Sequence, residues 1–112
     1  MVFSMSTQQN TYSNVINFIN DFKKKYPEAM EDTFLHGYCY WFAFILASRF
    51  DGIICYEPVD NHFITLIEEH FYDIRGEVIP SEKIMSWELY QVFDKLDAER
   101  TKRDCIRKER CE

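Results

Sequence analysis

The chain has 112 residues, of which 46% are hydrophobic and 17% aromatic, with a formal net charge of −6. That apolar content excludes bulk disorder and is ample for one domain over 1–112, since a chain this size hides roughly two-thirds of its unfolded surface on folding. The acidic balance argues against nucleic-acid binding by phosphate neutralisation, and no apolar run reaches the roughly 18 residues that a membrane span needs.

Residues 1–12 are polar and are expected to fray. Ser13 is placed to cap a first helix, in which Val15, Ile16, Ile19, Phe22 and Tyr26 fall on one face. Pro27 ends that run, and 28–36 reads as a loop. The next stretch, Tyr38 to Phe50, leaves no polar face between Tyr40 and Ala47. A helix that is apolar all round belongs in the middle of a molecule. Arg49 and Gly52 supply its stop signal, and Trp41 reads as a core anchor.

Ile53 to Tyr56 reads as a short strand closed by Pro58. His62–Ile67 and His70–Arg75 flank Glu68-Glu69, and both arms are rich in β-branched and aromatic residues. They predict a hairpin, with Gly76 ending the second arm. Pro80-Ser81 is expected to open a C-terminal helical region in which Ile84, Leu89, Val92, Phe93 and Leu96 form the apolar face. Residues 98–110 continue it as a charged helix or tail with Ala98, Thr101, Cys105 and Ile106 as a weak stripe. Trp87, Tyr72 and Cys55 read as core residues, and His70 as a solvent-facing turn residue. The expected fold class is α+β, a central buried helix packed on a small antiparallel sheet, with helices at both ends.

No basic-then-apolar leader is present, so the expected compartment is the cytoplasm, where Cys39, Cys55, Cys105 and Cys111 stay reduced thiols. His36 and Cys39 form an HxxC pair, but Cys55 and His62 lack the tight spacing of a zinc knuckle. No metal and no cofactor is expected.

The chemistry-bearing residues are Cys39, His62 and Asp73. Cys39 stands at the first turn of the buried helix, where free N–H groups and the helix dipole favour a thiolate and where backbone amides can bind an oxyanion. Gly37, two residues earlier, permits a tight entry into the helix and close approach of a substrate. A hairpin centred on Glu68-Glu69 pairs residues whose numbers sum to 137, so Ile64 faces Asp73 and His62 faces Arg75. His62 and Asp73 then share parity and face as diagonal neighbours, and an odd-length loop would break that match. A carboxylate in that position reaches the imidazole and fixes its tautomer. Arg75, beside His62, would disfavour protonation of the ring.

The order Cys, His, Asp on helix, strand and neighbouring strand resembles that of the papain-like and transglutaminase-like thiol enzymes. The pieces are Gly37-Tyr38-Cys39-Tyr40-Trp41-Phe42-Ala43, Asn61-His62-Phe63 and Tyr72-Asp73-Ile74-Arg75-Gly76. They are also similar to small uncharacterised proteins of bacteria and their prophages with GxCYWFA, NHF and YDIxG motifs, over about residues 33–80. The resemblance implies a compact α+β core with Cys39 as nucleophile, His62 as base and Asp73 as orienting acid. The glutamine that papain-like enzymes place before the nucleophile has no counterpart in Asp32-Thr33-Phe34-Leu35-His36.

Two functions follow as expectations. One is a small thiol hydrolase or acyl-transferase-like enzyme, peptidase- or amidase-like, acting on an amide in a protein or peptide. The other is a phage or mobile-element protein that binds and inhibits a host protein, such as a defence component, without catalysis. A purely structural domain, in which the three side chains never meet, is the third reading. No nucleic-acid or membrane partner is expected.

Overall fold

The computed structural model describes residues 3–27 and 39–103. Within them lie α1 (Phe3–Lys25), α2 (Cys39–Phe50), β1 (Ile53–Glu57), β2 (His62–Ile67), β3 (His70–Asp73), β4 (Gly76–Val78), β5 (Met85–Ser86), α3 (Trp87–Phe93) and α4 (Lys95–Thr101). The fold is α+β: four described helices and a five-stranded antiparallel sheet of order β4-β3-β2-β1-β5.

Helix α1 begins at Phe3, so Ser13 lies inside it rather than capping it. The whole of α1 lacks Gly and Pro, and the polar residues before Ser13 carry nothing that breaks a helix. Lys23, Lys24 and Lys25 complement the dipole in its last turn. The expected inner face is half right: Val15 and Ile19 are buried, whereas Tyr26 is exposed.

Helix α2 is amphipathic by placement rather than by composition. Cys39, Phe42, Ala43 and Leu46 are buried, but Trp41 and Phe44 are 42% and 46% exposed. The helix is therefore not surrounded, and Trp41 is not a core anchor. One face packs on the sheet, where the Thr65 hydroxyl donates to the Ala43 carbonyl at 3.0 Å. At its end Asp51, not Gly52, takes the left-handed conformation with φ 57°. The Gly52 N–H returns to the Ala47 carbonyl, a Schellman closure. Gly52 is needed for another reason: a Cβ there would lie 2.8 Å from the Leu66 carbonyl oxygen.

The core has two parts joined by α2. Val15, Ile19, Phe42, Leu46, Ile67, Tyr72 and Ile74 form one cluster. Cys39, Ala43, Tyr56, Phe63, Trp87, Tyr90 and Ala98 form the other. The hairpin register is as expected, Ile67↔His70 and Leu66↔Phe71 about a two-residue turn, with Glu68 at φ 58°. The second arm is shorter than expected. It stops at Asp73, and Ile74-Arg75 turns the chain so that Gly76, at φ 113°, opens β4 opposite Asp73.

The C-terminal region also differs. Helix starts at Trp87, capped by Ser86, whose hydroxyl accepts from the Leu89 N–H at 3.2 Å; Pro80-Ser81 and Ile84 precede it. Asp94 then breaks the run and caps α4. Trp87 and Tyr90 point inward, while Leu89, Val92, Phe93 and Leu96 are 55–87% exposed. The expected apolar face is thus the outer one. The aromatic rings of Trp87 and Tyr90 pack against Tyr56, and Trp87 meets Phe63 at 4.9 Å between centroids. Of the expected tail stripe, Ala98 and Thr101 are buried, while Cys105 and Ile106 lie outside the described residues. No described helix is long and apolar enough to cross a membrane.

Candidate active site

His62 opens β2 and Asp73 closes β3, so antiparallel pairing brings both to one end of the sheet. Cys39 opens α2 and packs with Tyr56 and Phe63 in the adjoining core cluster. His62 Nε2 and Asp73 Oδ2 are 2.9 Å apart, with the two side chains only 8% and 3% exposed. The Cys39 thiol is close enough to the same ring to act on its charge. With Nε2 turned to the carboxylate, Nδ1 is the nitrogen left for the thiol. The three residues singled out from the sequence are therefore neighbours, and all three are buried.

The electrostatics follow from that enclosure. Burial alone would lower the His62 pKa; hydrogen bonds and charge from Asp73 and Cys39 outweigh it and raise the imidazole from 6.5 to about 9. Burial raises the Asp73 carboxyl, but its bonds to His62 and Arg75 bring it below its usual value. Arg75 is not the cross-strand partner of His62 that the register count implied, because β3 ends two residues sooner, yet its Nη2 and the His62 Nε2 share Asp73 Oδ2. It folds back on Asp73: its backbone N–H donates to Oδ1 at 2.8 Å and its guanidinium reaches Oδ2 at 2.6 Å. Arg75 thus holds the acid in place and stays near the ring through the shared oxygen.

His36 and Gly37 lie outside the described residues, as does the Asp32–His36 segment that lacks the papain-like glutamine. Among the described residues no group of three or more His, Cys, Asp or Glu could hold a metal ion. Cys55 is a packing residue, and burial pushes its thiol up to about 11. His70 faces outward and bonds Glu77 at 2.7 Å.

Several site residues escape the sequence reading. Ending the first strand at Tyr56 leaves Glu57 in a loop, but it is the last residue of β1, cross-strand from His62 and buried. Asn61, at φ 53°, turns the chain into His62. Its side-chain oxygen accepts from the Tyr56 hydroxyl and from Arg100, and Thr101 donates to Tyr56 at 3.4 Å. The end of the chain's described part therefore braces the turn that delivers the histidine. Continuing the 62–67 pairing back across Pro58 is the signal that would have found Glu57; nothing local marks Arg100.

Fold and site together define an α+β protein with a buried Cys–His–Asp cluster at one end of its sheet. The chain belongs to the Phage YunG-like protein family, whose model matches residues 15–102. This makes it a phage-associated protein by family. No curated protein and no solved structure matches it, so nothing beyond motif order carries the papain-like and transglutaminase-like resemblance.

Proposed function

We propose that the protein is a small thiol-dependent hydrolase or acyl-transferase-like enzyme acting on an amide bond. The observation that carries this reading is the His62–Asp73 pair at 2.9 Å, buried, with the Cys39 thiol on the same ring. In this scheme Cys39 Sγ, as thiolate, bonds to the carbonyl carbon and charge passes to the carbonyl oxygen. The imidazolium of His62 gives its Nδ1 proton to the departing amine as the C–N bond breaks, leaving a thioester. The neutral ring then takes a proton from water, or from an acceptor amine, as that nucleophile displaces Cys39. Asp73, locked by Arg75, keeps the ring oriented throughout. The test is the iodoacetamide alkylation rate of the Cys39 peptide, followed by mass spectrometry. His62→Ala is expected to slow it at least about tenfold, in keeping with the usual size of acid–base assistance. An unchanged rate sinks the enzyme reading.

A second reading has its own support. Leu89, Val92, Phe93 and Leu96 form an outward apolar face on the α3–α4 corner, and the family is that of a phage protein. Such a face fits stoichiometric binding of a host protein, for example a defence component. A pull-down that recovers one partner equally with wild type and Cys39→Ala, and loses it with Phe93→Asp, supports binding without catalysis. Loss of the biological effect in Cys39→Ala counts against it.

A further inference from the structure

Glu57 is a buried carboxylate that the scheme above does not use. It is 4% exposed, and its cross-strand partner is His62, itself 6% exposed. Directly opposed residues of an antiparallel pair carry their Cβ atoms about 5 Å apart on one face. The carboxylate is held by three hydrogen bonds: Oε1 accepts the Ser81 N–H at 2.7 Å, and Oε2 accepts the Ser81 hydroxyl at 2.6 Å and the Val59 N–H at 3.2 Å. These bonds fix the 58–61 turn just ahead of His62 and tie the segment before β5 to it. All three donors are neutral groups. A buried anion so placed needs a cation nearby, since hydrogen bonds alone leave its charge uncompensated.

The groups that face His62 can be named element by element. Cys39 comes from α2, Asp73 from β3 and Glu57 from β1, while Arg75 stands behind Asp73 in the following turn. Arg75 is committed to Asp73 through Nε and Nη2. The charge that acts on Glu57 is that of His62.

We infer that Glu57 is a positioning residue of the Cys39–His62–Asp73 site: it fixes the strand end that carries His62 and supplies a second buried carboxylate that holds the ring in its cationic form. The inference rests on the reading of His62 as the proton carrier of a thiol site. Burial raises the Glu57 carboxyl, and the Ser81 and Val59 bonds together with the His62 charge bring it below its usual value, in keeping with an anion at neutral pH. Asp73 orients the ring and, with Cys39, raises its pKa, and Glu57 adds a further carboxylate charge from the other strand.

The decisive measurement is the proton NMR titration of the His62 ring in the full chain. Glu57→Gln keeps the shape and one carboxyl-like acceptor but removes the charge. It is expected to lower the His62 midpoint by about one pH unit, the usual effect of one nearby charge. Ser81→Ala, which removes one bond and keeps the charge, is expected to lower stability and leave that midpoint near its wild-type value. Equal midpoints in wild type and Glu57→Gln overturn the inference, as does an equal shift in both variants, which would mark a structural role only. If Glu57→Gln does not fold, the wild-type carbon resonance of the Glu57 carboxyl decides: it should inflect with the His62 midpoint near 9. A flat trace there overturns the inference. These readouts are independent of turnover. An alkylation rate at Cys39 insensitive to His62→Ala, together with a shifted midpoint in Glu57→Gln, removes the enzyme and keeps the coupling.

Discussion

Strand β3 has a histidine–carboxylate pair at each end, His70 with Glu77 of β4 and Asp73 with His62 of β2, and the two differ in everything but chemistry. His70–Glu77 is the shorter, at 2.7 Å against 2.9 Å for His62–Asp73. Yet His70 and Glu77 are 43% and 39% exposed, while His62 and Asp73 are 8% and 3% exposed. Water screens the first pair, which contributes little. The second pair is enclosed, and further groups converge on it: Cys39 on the ring, Arg75 on the acid, Glu57 across the strand. Distance alone does not mark a site; burial and a third chemical partner do.

Asp73→Ala should break the comparison most severely. It leaves a buried imidazole and the Arg75 guanidinium without their anion, and the expected loss is about 3–5 kcal/mol of unfolding free energy in urea. A loss below about 1 kcal/mol would place the inner pair in the same class as the outer one.

Stability against pH should separate the pairs next. The His62 pKa is raised in the folded chain, so its contribution is complete below 6.5 and disappears as pH rises through about 9. The Asp73 pKa is lowered, so its contribution is present above 3.8 and is lost as pH falls through the folded value. Urea midpoints of wild type should therefore decline between pH 6.5 and 9, and His62→Gln should flatten that decline. A decline of equal slope in His62→Gln would assign it to other groups.

Smaller effects belong to the outer end. The Tyr72 hydroxyl is buried with no hydrogen-bond partner among the described residues, near Tyr12 and Glu77. Tyr72→Phe removes that uncompensated group and should stabilise the fold by about 1 kcal/mol, read from the thermal midpoint with calorimetric enthalpy. Destabilisation of similar size would show that the hydroxyl has a partner in solution. Glu77→Gln should change least, leaving the denaturation midpoint where it was. A clear drop would mean that the outer pair is structural after all.

The legible part of this molecule was local and periodic. The spacing of β-branched and aromatic residues about Glu68-Glu69 gave both strands and their register, and parity placed His62 and Asp73 on one face. The illegible part concerned which face is covered. Leu89, Val92, Phe93 and Leu96 repeat as an inner stripe should, yet Trp87 and Tyr90 take the inner position against Tyr56 and Phe63. These two large rings pack tilted and edge-on against the sheet aromatics there. Trp41 and Phe44 show the same effect on α2, where the sheet covers one face only.

By itself the sequence determined the helix from Cys39, the hairpin register about Glu68-Glu69 and the shared face of His62 and Asp73, because each follows from backbone periodicity over a few residues. Tertiary structure alone decided that Arg75 folds back on Asp73 instead of pairing across from His62, that Gly76 opens a strand rather than ending one, and that Glu57 faces the histidine. Those outcomes depend on where a strand stops and what packs across from it, and such contacts join residues too far apart in the chain for any local pattern to record.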